Sequence, residues 1–212
     1  HGDKEGEKNT LIEHVKAYLW QKGEYSPDSE ASFAPALCNR IDRNTSGIVI
    51  AAKNAEALRI MNDKIKNREL SKFYLCAVIG TPKPKAGTLK GYIFKDAKEN
   101  RVYVKPTPSP GAKTAITKYQ TLKTNGDISL VECELITGRT HQIRAQMASA
   151  GHPLVGDGKY GKNADDRKKG FKHQALYSYK LRFNFTTDAG ILNYLNGKTF
   201  TVKKVWFKDE LF

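Results

Sequence analysis

Apolar residues first recur at helical spacing. Leu11, Ile12, Val15, Tyr18 and Leu19 share one face and Gly23 supplies a stop, which predicts a helix over residues 11–21. Thr10 and Glu13 have the capping-box form, a hydroxyl followed three residues later by a carboxylate. Residues 24–36 carry Pro27, Asp28, Ser29 and Pro35 and read as a loop. A polar stretch from Asn39 to Gly47 then feeds the apolar run Ile48-Val49-Ile50-Ala51-Ala52, so residues 46–52 are predicted to be a buried strand. Asn54 is placed to cap a second helix with Ala57, Leu58, Ile60, Met61 and Ile65 as its apolar face. Lys64, Lys66 and Arg68 crowd its last turn, where cations suit the helix dipole.

From residue 72 the composition turns to strands. Residues 72–80 are apolar and β-favouring, and a basic turn follows over 81–87. Residues 88–94 and 101–105 flank a polar turn and predict a hairpin. Residues 105–113 form a loop. A second hairpin pairs 114–123 with 128–135 around Asn125-Gly126. A third helix runs from His141 to about Ala150, stopped by Gly151 and Pro153, and residues 154–172 are a Gly- and Lys-rich loop. Alternation over 175–183 and 198–207, linked through Asn196-Gly197, predicts a closing pair of strands. Helices interrupting a chain of hairpins give an α+β fold rather than a doubly wound parallel sheet. Without a repeat or a Pro/Ser-rich linker, the 212 residues are expected to form a single domain.

Charge adds a partner. The 36 Lys plus Arg against 22 Asp plus Glu leave a net +14, which favours a polyanion, nucleic acid above all. No apolar run is long enough to span a membrane, and the first residues lack a signal-peptide core. Cys38, Cys76 and Cys133 are odd in number and widely spaced, as free thiols in a reducing cytoplasm would be.

Several chemistries fail on spacing. His141, His152 and His173 are not at metal-ligand intervals, and the cysteines form no CxxC pair. Gly197-Lys198-Thr199 ends like a phosphate loop, but Leu192 stands where the first glycine is required. Gly156 to Gly161 reads as a tight loop. Three stretches remain. Asp42 lies between Arg40 and Arg43 before a glycine turn; Tyr74 follows Lys72 and Phe73 on a strand; Gly138-Arg139-Thr140-His141-Gln142-Ile143-Arg144 opens a helix. At helical pitch Arg139 and Arg144 diverge by about 140°, so one can meet phosphate while the other points inward. Singly, each has a plain reading: a turn aspartate, a core tyrosine, solvated arginines, a histidine at a helix start.

Together these stretches, with Gly151-His152-Pro153-Leu154-Val155-Gly156-Asp157 and Tyr160-Gly161, resemble the RluA-type pseudouridine synthases in order and mutual spacing. The resemblance covers residues 33–207. It implies a mixed, mostly antiparallel sheet with flanking helices and a central cleft. It implies isomerisation of uridine to pseudouridine in structured RNA, ribosomal RNA ahead of transfer RNA, with no cofactor and no metal. Asp42 matches the catalytic aspartate and Tyr74 the active-site tyrosine that stacks on the target base. Arg144 matches the buried arginine that pairs with the catalytic carboxylate, and Ile143 the apolar residue beside it. Arg40 matches an arginine that orders the flipped-out nucleotide, and Arg139 and His141 are expected to contact substrate.

Asn39 departs from the family's usual histidine, which predicts altered substrate contact. His1-Gly2 resembles the end of a motif on a preceding strand, so the chain is expected to begin inside the catalytic domain, after that strand and any S4-like RNA-binding domain. A cytoplasmic monomer is expected. The rival readings are a catalytically idle RNA-binding or ribosome-assembly protein on the same fold and, more weakly, a metal-dependent nuclease, against which counts the lack of a second carboxylate clustered with Asp42.

Overall fold

A computed structural model describes residues 9–28, 33–161 and 170–212. The readings that fall on His1-Gly2, on Ser29 and on the middle of the 154–172 loop lie outside the described residues. In chain order the elements are α1 (Leu11–Gln21), β1 (Ala36–Leu37), β2 (Ser46–Gly47), β3 (Ala51–Ala52), α2 (Ala55–Lys66) and β4 (Leu70–Ile79). They continue with β5 (Ala86–Asp96), β6 (Arg101–Lys105), β7 (Lys113–Asn125), β8 (Ile128–Leu135), α3 (Gln142–Ser149) and β9 (Leu176–Phe183). A 3-10 helix (Gly190–Leu195), β10 (Thr199–Thr201) and α4 (Trp206–Leu211) close the chain. It packs as two compact units.

The first unit comprises His1–Arg40, Val49–Leu70 and Phe183–Lys198. Its helix α1 has the predicted bounds, but the capping box does not form. The Thr10 side chain makes no cap bond and its buried Oγ1 has no partner among the described residues, while Glu13 instead binds Lys16 Nζ at 2.9 Å. Helix α2 is capped as expected, with Asn54 Oδ1 accepting from the Ala57 N–H at 2.8 Å. Lys64 and Lys66 stand in the last turn as expected, and Lys64 has a second role. It lies on the same helical face as Ile60 and Met61, and its side chain is 1 % exposed. Its ammonium donates to Glu69 Oε2 at 3.1 Å and to the Thr187 carbonyl and hydroxyl, 5.2 Å from the Phe185 ring centre. Glu69 in turn accepts from the Thr186 and Thr187 N–H groups.

The second unit comprises Ile41–Ile48, Ser71–Arg182 and Thr199–Phe212. It holds a sheet in the order β10-β9-β4-β8-β7-β5-β6, with β2 added parallel to β9. The β10–β9, β4–β8, β8–β7, β7–β5 and β5–β6 pairs are antiparallel, so both predicted hairpins form and the sheet is mixed but mostly antiparallel. One apolar layer joins Tyr74, Cys76, Val78, Val131 and Cys133 of the sheet to Ile143 and Met147 of α3. Another joins Leu75, Ala77 and Leu130 to Val205 and Phe207 at α4. The alternation of β4 thus feeds two cores, one on each face.

Two strand readings need correction. Residues 46–52 are not one buried strand: β2 pairs with β9, β3 pairs with β1, and Ile48, Val49 and Ile50 between them are in neither. The reading over 198–207 keeps only Thr199–Thr201 as strand, and Trp206–Leu211 is helical. The link from β9 to β10 is no tight hairpin but a segment holding the 3-10 helix. In both cases the apolar pattern marked burial correctly in part, and tertiary pairing chose the element.

Candidate active site

Asp42 sits on a turn that its sequence dictates. The Thr45 N–H closes onto the Asp42 carbonyl at 3.0 Å, and Asn44 takes a left-handed φ of 64°, a conformation asparagine tolerates. Gly47 has φ 119°, and a Cβ there would meet the Ser178 carbonyl oxygen at 2.1 Å, so only glycine lets β2 lie against β9. Gln174 pins the other side of the turn by donating to the Arg43 carbonyl at 2.6 Å and the Thr45 hydroxyl at 3.2 Å. The Asp42 side chain, 21 % exposed, is thereby presented on a fixed backbone.

Arg144 reaches it from α3. Nη1 donates to Asp42 Oδ2 at 3.4 Å, across 102 residues of sequence. That is the longer of its two ion pairs. The main partner is Asp157, fully buried, which receives Nε at 2.7 Å and Nη2 at 2.9 Å in a bidentate fork. Asp157 Oδ1 also accepts the Lys159 and Tyr160 N–H groups at 2.9 and 3.1 Å. Burial pushes its carboxyl up, but the Arg144 hydrogen bonds and charge and these amides outweigh it and hold it below the ordinary value. The expectation that Arg144 is dedicated to Asp42 is therefore refined: Asp157 fixes the guanidinium, and the remaining nitrogen faces Asp42.

Asp157 received no role from sequence. Its signal was the glycine on either side of its loop. Gly156 has φ 73°, and a Cβ there would meet the His173 carbonyl oxygen at 2.1 Å; a Cβ on Gly161 would meet the Asp157 carbonyl oxygen at 2.9 Å. Tyr160, on the same loop, stacks its ring 5.3 Å from the Arg144 guanidinium carbon. Its hydroxyl accepts the Val102 N–H at 3.0 Å and lies 2.9 Å from His141 Nδ1.

His141 opens α3 with a left-handed φ of 51°. Burial draws its imidazole below the ordinary value; Asp42 opposes that, while Arg144 and Lys159 add to it. The turn before α3 is held by Gln142, whose Oε1 accepts from the Thr137 hydroxyl and the Arg139 N–H and whose Nε2 donates to the Ile116 carbonyl and the Thr117 hydroxyl. Arg139 belongs to this turn and not to the helix, so the helical-pitch argument does not apply to it. Its Nε donates to the Thr114 carbonyl at 3.0 Å. Ile143 is buried in the core beside Tyr74.

Tyr74 is on β4 in that same core and 7 % exposed, so little of its side chain is open to a base. Burial raises its phenol above the ordinary value; a Ser178 hydrogen bond works against that and the Asp42 charge with it. Arg40 is exposed and belongs to the first unit. Asn39 in that unit accepts the Ile50 N–H on its Oδ1 at 2.8 Å. Among the described residues no helix is long and apolar enough to cross a membrane.

A mostly antiparallel α+β sheet is the fold that comparison with known proteins also finds. The family model for RNA pseudouridylate synthase matches residues 7–149, and the chain belongs to that family. It is 42 % identical over 178 residues to an uncharacterized RNA pseudouridine synthase of Mycoplasma pneumoniae, covering 82 % of this chain and 52 % of that one. To the ribosomal large subunit pseudouridine synthase D of Borreliella burgdorferi it is 33 % identical over 176 residues, covering 83 % and 51 %. A solved structure, Human RNA Pseudouridylate Synthase Domain Containing 1, aligns with a TM-score of 0.62 at 26 % identity over 83 % of this chain and 78 % of that one. The chain spans about half the length of the curated relatives it matches.

Proposed function

We propose that this chain isomerises uridine to pseudouridine in structured RNA, ribosomal RNA in the first instance, with Asp42 as the catalytic carboxylate. The reaction breaks the bond between N1 and ribose C1′, turns the uracil and joins C5 to C1′. The C5 hydrogen is lost as a proton and N1 gains one, so atoms and electrons balance without a co-reactant. What supports the reading is the placement of a partly exposed carboxylate 3.4 Å from a guanidinium that a buried Asp157 already locks. A carboxylate so held can attack C1′ or stabilise cationic character there while the glycosidic bond is broken.

A uridine in folded RNA must leave its stack to reach such a site. Tyr74 then meets the base with the small part of its side chain that is exposed, and its hydroxyl can relay the C5 proton by giving up its own as it accepts that one. Arg40, Arg139 and His141 are assigned to the nucleotide and its phosphates, and the excess of 14 positive charges to the RNA backbone. A cytoplasmic monomer suits three free thiols and an RNA substrate.

The test is to incubate the protein, beside Asp42→Asn, with total RNA and map pseudouridine. New pseudouridine at defined sites with the wild type and none with the variant is expected. RNA binding without any new pseudouridine in either sample leaves the idle RNA-binding reading in its place.

A further inference from the structure

Among the described residues the three most exposed aromatic side chains, Tyr18, Trp20 and Tyr194, belong to the first unit. Tyr18 on α1 is 58 % exposed and Tyr194 on the 3-10 helix is 62 % exposed. Single exposed aromatics need no explanation. These two share a setting. Lys22 Nζ stands 5.8 Å from the Tyr18 ring centre and Lys198 Nζ 5.5 Å from the Tyr194 ring centre, both near the outer limit of cation–π contact. Lys53 lies within electrostatic reach of both phenols. The Glu24–Lys53 pair ties the end of α1 to the start of α2, α2 packs against the 3-10 helix, and each ring carries its own lysine. Among the described residues Lys22, Lys53 and Lys198 flank this region, with Glu24 paired to Lys53 and Asp188 bound to Asn193 beside Tyr194.

We propose that this face of the first unit is a platform for unpaired nucleotides, with bases stacking on Tyr18 and Tyr194 and phosphates taken by Lys22, Lys53 and Lys198. The assignment rests on the reading that the substrate is RNA. Flexible lysines at the edge of cation–π range can swing from ring to phosphate as a base arrives, so the ring keeps a partner throughout. A protein partner is disfavoured by the surplus of lysine, which protein interfaces deplete. Duplex RNA is disfavoured because its bases offer no free face for stacking. Such a platform would hold a single-stranded flank of the substrate and would act on substrate affinity, not on the chemical step.

The experiment titrates the full chain with a fluorescent ten-nucleotide oligouridylate and with a duplex of the same length, while pseudouridine formation is followed on total RNA. Tyr18→Ala and Tyr194→Ala are each expected to weaken oligouridylate binding by roughly tenfold, while Tyr→Phe at both positions retains it. Lys22→Ala with Lys198→Ala is expected to reduce the slope of log K against log salt by about 1.4. Duplex binding stays unchanged, and an unaltered melting temperature shows that the exposed substitutions leave the fold intact.

The proposal is overturned if Tyr18→Ala combined with Tyr194→Ala binds oligouridylate like the wild type, or if the wild type does not bind it. It is also overturned if the tyrosines support self-association of the chain and not RNA binding. Tyrosine-dependent binding without any pseudouridine formation would sink the enzymatic reading and leave the platform standing. Pseudouridine formation with binding indifferent to the tyrosines does the reverse.

Discussion

Each unit buries an ion pair, and the two pairs differ in what they leave over. In the first unit Lys64 spends its ammonium on Glu69 and on both oxygens of Thr187, while Glu69 accepts two backbone amides. Each of these contacts ends inside the unit. In the second unit Arg144 meets Asp157 with two nitrogens and extends a third toward Asp42, whose side chain is 21 % exposed. A compact ammonium suits a closed cluster; a planar guanidinium with a rigid fork can be held on one side and used on the other. The closed pair staples the Phe185–Thr187 segment to α2. The open one turns a buried anchor into a fixed positive charge at the candidate reaction centre.

The sharpest break of this contrast is at Asp42 itself. Asp42→Asn keeps the shape and an acceptor but removes the charge, and pseudouridine formation should fall by on the order of 10⁴-fold or more, with the melting temperature nearly unchanged. Asp157→Ala should do something different. It strands a buried guanidinium, so a stability loss of about 3–5 kcal/mol is expected in denaturant titration together with lost activity. If Asp157→Ala proved as stable as the wild type, its fork would not be the anchor described above. Arg144→Lys lies between them. The charge survives, but an ammonium cannot hold the fork to Asp157 and reach Asp42 at once, and turnover should drop about 10²-fold with substrate affinity less affected.

How far these roles were legible in sequence follows from the range of the interactions. The bounds of α1 and α2 and both hairpins were readable because periodicity, the Asn54 cap and the Asn125-Gly126 turn are local signals. The family's three long motifs brought Asp42, Tyr74, Ile143 and Arg144 forward, and all four belong to the second unit, with an Asp42–Arg144 pair. Asp157 stood within a quoted motif without a role, because nothing local says that a carboxylate thirteen residues after Arg144 returns to its guanidinium. Lys64 could have been found, since it falls on the helical face of Ile60 and Met61 and a lysine there needs a buried acid. The split of residues 46–52 could not, because Gly47 is fitted to Ser178, a partner on a strand far along the chain.

The smallest effects on turnover should come from the closed pair, and they test whether it is only structural. Glu69→Leu removes the acceptor of the Thr186 and Thr187 amides as well as the charge, so it should lower the melting temperature more than Glu69→Gln, which keeps an oxygen. Neither should change turnover measured below its melting transition; a lower rate at full folding would tie the two pairs together. Acid titration then isolates the charge. Burial pushes the Glu69 carboxyl up, but the Thr186 amide, Lys64 and Thr187 bonds overcome it and bring it down to about 2 from an ordinary 4.5. A depressed carboxyl stabilises the fold above its unfolded value and loses that contribution as pH falls toward its folded value. The wild type should therefore lose stability between about pH 4.5 and 2. Glu69→Gln should follow a shallower curve across that window, with a residual slope from Asp157, whose carboxyl is also held low. Identical slopes in the two proteins would mean that Glu69 does not carry its charge in the folded unit, and the parallel with Asp157 would fail.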